Sequence, residues 1–243
     1  VRLDVVPTAD AVAPGSLGGA TVLVVDVLRA STTMIVALAS GCAGITPVAD
    51  AAEARRLARA HGDNGALVAG ERRGEPLAGF HLGNSPLEFT RARVGGKTVF
   101  FTTSNGTRAL LAAREAAAIG VAAFVNLTAA AAWAAGEARD VVVLCAGERG
   151  ARSLEDHVCA GLLVERLAAA APGAPLSAAA REAQADGRQY ARDVTRLARD
   201  SAWARRLAAA GRGGDVAACL RLDTTTLVPV YLPSVDKVVA GRG

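Results

Sequence analysis

Short apolar runs rich in β-branched residues recur along this chain, each separated from the next by a helix-forming stretch. That alternation restricts the fold to the α/β class. TVLVVDVL, beginning at Thr21, is the densest run, and ASTTMIVALASG after it supplies a helix that stops at Gly41. A strand follows at Gly44 to Val48, with Asp50 placed to cap the helix AAEARRLARAHG. Further strands are expected at Arg2 to Val6, Ala66 to Gly70 and Lys97 to Thr103. The helix after Asn105 is expected to reach Gly120, ahead of a strand VAAFV, and Asn126 or Thr128 opens the next helix, to Gly136. DVVVLCAG is then a strand, and SLEDHVCAGLLVERLAAA a long helix capped by Ser153.

This order predicts a three-layer α/β/α architecture with a mostly parallel sheet. The right-handedness of crossover connections then places the strand carboxyl ends on one edge. After Pro172 the pattern becomes helical, so residues 173–226 form a mainly helical C-terminal excursion, closed by a strand at VPVYL. No low-complexity linker isolates it, and residues 1–243 are expected to form a single compact α/β body with the excursion packed on it.

Ligands of open parallel sheets bind beyond the strand carboxyl ends, so the residues standing there are the candidates for chemistry. They are Asp26 and Arg29, Glu71 and Arg72, the run Thr102 to Thr107, Asn126, and Glu148 with Arg149, with Glu155 and Asp156 one turn into the following helix. Each alone is more often a helix cap than a catalyst; their collection on one edge points to a site. In TTSNGTRALLAA the donors Thr102, Thr103, Ser104, Asn105 and Thr107 exceed what a cap requires, and Asn105-Gly106 is a turn pair suited to holding an anion. Neither GxxxxGK[ST] nor GxGxxG is present, so no nucleotide cofactor is implied. The aperiodic stretch from Gly70 through GFHLGNSPLEF to Arg93 is expected to be a functional loop, in which His81 is a surface residue, a packing residue or a general acid.

The acidic set has no Cys/His zinc spacing, and hard carboxylate ligands favour magnesium. Positive charge is almost wholly arginine, since Lys97 and Lys237 are the only lysines, and the arginines are scattered among acidic residues instead of forming a stripe. Nucleic-acid binding is thereby disfavoured. Cys42, Cys145, Cys159 and Cys219 lack metal-ligand spacing and read as buried free thiols. No signal peptide opens the chain, and the most apolar stretch, Thr21 to Gly41, carries Asp26 and Arg29, so no membrane span is expected and the cytoplasm is the expected location.

Blocks of this sequence resemble the 2-phosphosulfolactate phosphatase family. They are DVLRASTT at 26–33, GERRG at 70–74, GFHLGNSP at 79–86, GKTVFFTTSNGTRAL at 96–110, NLTA at 126–129, CAGERGARSLEDHVCAG at 145–161 and VPVY at 228–231. The resemblance implies a magnesium-dependent hydrolase that converts 2-phospho-3-sulfolactate to 3-sulfolactate and phosphate, a step of coenzyme M biosynthesis. It implies catalytic roles for Asp26, Arg29, Glu71, Asn105, Glu155 and Asp156, with Asp26, Glu71, Glu155 and Asp156 as magnesium ligands. Substrate contacts are assigned to Ser31, Arg72, Asn84, Ser85, Asn105, Gly106, Thr107 and Arg149, where Arg72 and Arg149 suit a carboxylate and a sulfonate. Ser104 departs from the expected Thr but keeps a hydroxyl. A small acidic phosphorylated metabolite is the expected partner, with a homodimer allowed; alternatives are another acidic phosphoester as substrate, or noncatalytic binding of an anionic metabolite. Leu28 stands where a two-step aspartyl-phosphate mechanism wants a second Asp, so attack by an activated water is expected.

Overall fold

The computed structural model describes residues 1–62 and 65–241. Its strands are β1 (Leu3–Val6), β2 (Thr21–Val25), β3 (Gly44–Pro47), β4 (Ala66–Arg72), β5 (Glu75–Pro76), β6 (Thr98–Thr102), β7 (Ala118–Ala122), β8 (Val141–Cys145), β9 (Pro229–Leu232) and β10 (Lys237–Ala240). The helices are α1 (Ala30–Ala39), α2 (Ala51–His61), α3 (Arg91–Val94), α4 (Gly106–Ala112), α5 (Leu127–Gly136), α6 (Leu154–Ala170), α7 (Ala178–Tyr190), α8 (Leu197–Asp200), α9 (Ala202–Leu207) and α10 (Gly213–Cys219).

These elements build the expected three-layer α/β/α fold, with α7 to α10 as the helical excursion. In β2 every residue is buried. Leu23 and Val25 enter one apolar cluster, with α5 and α6 side chains, while Val22 and Val24 enter the other, with α1 and α4 side chains. A strand covered on both faces must be apolar throughout, which is why these runs lack alternation. Two caps are as read: Asp50 Oδ1 accepts from Glu53 N at 2.8 Å, and Ser153 Oγ from Asp156 N at 3.3 Å. All four cysteines are buried free thiols.

The structure corrects three expectations. The helix after Asn105 ends at Ala112, and Gly120 lies inside β7 instead of stopping a helix. Trp133 packs over that position, where a Cβ would lie 2.5 Å from its ring, so the glycine makes room for an indole. A last strand, β10, was not expected. It pairs with β9 as a hairpin in the middle of the sheet, whose order is β1-β8-β2-β7-β9-β10-β3-β6-β4-β5.

That hairpin also changes how the strand ends converge. The pairings β7–β9, β9–β10 and β10–β3 are all antiparallel, so the parallel group β1-β8-β2-β7 runs opposite to β3-β6-β4. A uniform parallel edge therefore does not gather the site. Each outer joint of the hairpin has a single register pair, Gly120 with Val230 and Val238 with Ile45. Across these sparse joints the carboxyl ends of both groups nevertheless border one cleft.

Candidate active site

The cleft has a volume of about 890 Å³, and its lining includes Asp26, Arg29, Glu71, Asn84, Asn105 and Glu148. It therefore draws on the ends of β2 and β8 from one parallel group and of β4 and β6 from the other. Asp26, Arg29, Glu71 and Asn84 are buried polar residues in its wall.

Asp26 follows β2 directly. Its Oδ1 accepts from Ala30 N at 3.1 Å, and its own N–H donates to Ser31 Oγ at 2.9 Å, so Ser31 serves the backbone of this turn. Its Oδ2 faces the first residue of α4: a Cβ on Gly106 would lie 2.7 Å from that oxygen and 2.5 Å from Ala30 Cβ. Only glycine permits this approach. Burial, reinforced by the charges of Glu71 and Glu155, pushes the Asp26 carboxyl up to about 7.

Glu71 fastens two loops. Its Oε1 accepts from Ser104 N at 2.7 Å, and its Oε2 accepts from Gly74 N at 2.6 Å and Ser104 Oγ at 3.2 Å. Asp156 does similar work below the cleft, with Oδ1 accepting from Val27 N at 2.8 Å and Oδ2 from Gly147 N at 3.3 Å. It ties the β2 and β8 exits together. Neither Asp156 nor Glu155 lines the cleft, although both are buried. Burial raises both carboxyls, and the charges of Asp26 and Glu155 add to the effect on Asp156.

Arg29 donates to Asp215 Oδ2 at 2.6 Å and to Gly74 O at 3.0 Å. Asp215 lies on α10, and its Oδ1 accepts from Ser85 Oγ at 2.5 Å. Sequence reasoning did not single out Asp215, because an Asp after Gly-Gly in a helical stretch carries no signal of a partner so distant in the chain. Trp203 was missed as well; its indole N–H donates to Leu28 O at 2.9 Å, seating α9 at the cleft. The helical excursion thus supplies part of the wall.

Several expected donors are committed within the protein. Arg72 donates to Glu71 O at 2.8 Å, Thr102 Oγ1 at 2.8 Å and Ala49 O at 3.1 Å. Thr107 exchanges bonds with Thr103, its N–H reaching Thr103 Oγ1 at 3.1 Å. The Asn126 amide group serves Ala123, Val121 and Leu227, and His81 Nδ1 accepts from Val68 N at 3.0 Å, giving His81 a loop-packing role. By contrast, Asn84 Oδ1 is buried without a partner.

Among the described residues, the side chains whose ligating atoms all lie within 4.8 Å of one another are His157, Glu182 and Asp186, away from the cleft. Arg152 already donates to Glu182 at 2.7 Å there. No helix of the described residues is long and apolar enough to cross a membrane.

Comparison with known proteins identifies the family of the chain. Residues 7–233 match the family model described as 2-phosphosulpholactate phosphatase. A Symbiobacterium thermophilum protein is 38% identical over 220 residues, covering 88% of this chain and 92% of the relative. A Synechococcus protein is 37% identical over 94% of this chain and 96% of its own, and one from Clostridium acetobutylicum 31% identical over 95% and 97%. All three bear the name "Probable 2-phosphosulfolactate phosphatase". With a family match spanning nearly the whole chain and relatives above 30% identity end to end, this protein belongs to the 2-phosphosulfolactate phosphatase family.

Proposed function

We propose that the chain hydrolyses 2-phospho-3-sulfolactate to 3-sulfolactate and inorganic phosphate, using magnesium. The observation that supports it best is the meeting of the Asp26 carboxylate with the Asn105-Gly106 turn across a cleft that also holds the Arg29 guanidinium. A carboxylate, an amide side chain and a fixed cation around one space suit the three demands of phosphomonoester hydrolysis: orienting water, positioning the ester and offsetting charge.

The donor set fits a divalent cation. Asp26, Glu71 and Glu155 hold mutually repelling negative charge in a buried setting, and the orphaned Asn84 Oδ1 is a hard oxygen with nothing to bind. Asp26 and Asn84 would hold magnesium at the cleft surface, with Glu71, Glu155 and Asp156 contributing charge from behind. Magnesium there supplies positive charge that counters the phosphate oxygens.

The residues of the chain account for the rest. Asp26, as a carboxylate at the cleft, would orient the attacking water beside the metal. Arg29, held on Asp215 and Gly74, presents fixed positive charge to the phosphate, and Asn105 offers its amide. Leu28 leaves no second carboxylate in the turn for a two-step route, so configuration at phosphorus inverts.

Phosphate release across a panel of small phosphorylated acids, with and without magnesium, tests this reading. The expected result is the highest kcat/KM with 2-phospho-3-sulfolactate and loss of turnover on chelation, restored by magnesium. Full turnover after chelation overturns the metal requirement; preference for a different phosphoester overturns the substrate.

A further inference from the structure

The cleft adjoins an annex of about 280 Å³, walled by α9 and the residues after it. Arg73, Gly74, Arg149 and Trp203 line both spaces. Two arginines at this boundary sit on turns of the same unusual design. Arg73-Gly74 closes the β4–β5 hairpin, in which Arg72 pairs with Glu75, and φ is 57° at Arg73 and 87° at Gly74. Arg149-Gly150 closes a second two-residue turn, in which Glu148 and Ala151 exchange backbone bonds of 2.8 and 2.9 Å, and φ is 52° and 77°. Positive φ at both central positions is the hallmark of type I′ turns, whose first position favours Asn, Asp or Gly. Arginine stands there in both.

Each turn is also tied to the helical section through the carboxylate beside it. Glu75 pairs with Arg212 at 2.6 Å, and Glu148 with Arg206 at 3.0 Å. The neighbouring negative charges are thereby neutralised, while the Arg73 and Arg149 guanidiniums have no hydrogen-bond or ion-pair partner among the described residues. The sequence suggested Arg72 and Arg149 for such contacts; Arg72 already donates to Glu71 O, Thr102 Oγ1 and Ala49 O, which leaves Arg73 as the partner of Arg149 at this boundary.

We propose that Arg73 and Arg149 form a two-armed clamp for a second oxyanion, a sulfonate or carboxylate carried on the same small molecule as the phosphate and seated between cleft and annex. The proposal rests on the phosphatase reading and extends it to specificity. A guanidinium fork matches an oxyanion edge, and two forks on turns that border the same space can hold a group that a single exposed arginine would leave mobile. The clamp sets substrate class: phosphoesters carrying a second strong acid are selected over those whose remainder is uncharged. Placing the arms on turns fastened to the helical section gives that section a role in selection.

Calorimetric titration with 3-sulfolactate, which carries no phosphate, reads the clamp without catalysis. Arg73→Asn and Arg149→Asn are suitable variants, because Asn tolerates the left-handed backbone and the turns survive. Each is expected to weaken 3-sulfolactate binding roughly 10-fold or more. In kinetics, the ratio of kcat/KM for 2-phospho-3-sulfolactate to that for glycerol 2-phosphate should fall by about the same factor, expressed in KM. Wild-type affinity in both variants, no binding of 3-sulfolactate to the wild type, or an unaltered ratio overturns the clamp. Failure of every phosphoester to be hydrolysed instead sinks the phosphatase reading, and the titration still decides whether the clamp exists.

Discussion

Arg29 donates to Asp215 across 2.6 Å, joining the turn after β2 to α10 over a separation of 186 residues. Side-chain exposure is 3% for Arg29 and 6% for Asp215, so the pair is closed to water. It fastens the helical excursion to the turn after β2 and holds the Arg29 guanidinium in the wall of the cleft.

Removing one partner strands the other's charge in a buried setting. Asp215→Ala should therefore cost about 3–5 kcal/mol in urea denaturation. The double variant Arg29→Met, Asp215→Ala should lose less stability than the sum of the single variants Arg29→Met and Asp215→Ala, while remaining inactive. Additive losses in this cycle would contradict a direct pairing.

Asp26→Asn should make the metal-free protein more stable at neutral pH while abolishing hydrolysis. Asp26 titrates at 3.8 in an unperturbed setting and at about 7 in the fold. Below 3.8 both states carry the proton; as pH rises toward 7 the unfolded chain releases it first, and stability falls. The advantage of Asn, on the order of 4 kcal/mol above pH 7, should vanish in acid. Added magnesium should stabilise the wild type and leave the variant unchanged. Thermal melts across pH measure both effects, and a pH-independent difference would refute the argument.

Gly106→Ala places a methyl group against Asp26 Oδ2 and Ala30 Cβ at 2.7 and 2.5 Å. Alanine is the better helix former, yet here the clash should dominate, costing about 1–3 kcal/mol and at least roughly 10-fold in kcat. Steady-state kinetics with a denaturation curve provides the check; wild-type turnover would mean that the close approach has no bearing on catalysis.

His157 is buried, which lowers its basicity, and the nearby Arg152 charge acts in the same direction. Its proton is bound more readily in the unfolded chain, so the contribution of His157 to stability declines as pH falls through about 6.5, opposite in sign to that of Asp26. His157→Gln should remove that contribution, so the variant should gain stability relative to the wild type as pH falls from 7.5 to 5.5, whatever its effect on absolute stability. An unchanged slope would assign the acid sensitivity to other groups.

Much of the sheet was legible because its signal is local. Doubly covered strands demand unbroken apolar runs, and these are visible in the chain wherever β2, β6 and β8 lie. The strand-end polar residues followed, and Asp26, Glu71, Asn105 and Glu148 do share one cleft. Functions that depend on a hydrogen-bond partner were less legible. Glu71 and Asp156 read as metal ligands in sequence; their hydrogen bonds to the backbone N–H groups of Ser104 and Val27, far along the chain, were not visible there. Arg72 and Arg73 are adjacent in sequence, and only the folded structure shows that the guanidinium of Arg72 is bonded to Thr102 and Ala49 while that of Arg73 has no partner among the described residues.

The sequence by itself determined the α/β class, the strand and helix succession and the polar set at the strand ends, because burial on two faces and capping act over a few residues. Tertiary structure decided what joins the halves and which polar groups remain available. The β9–β10 hairpin reverses the sense of one parallel group against the other, and Asp215 reaches Arg29 from the far end of the chain. Both are contacts between segments far apart in sequence, and a single chain of letters records the residues of such contacts without recording their meeting.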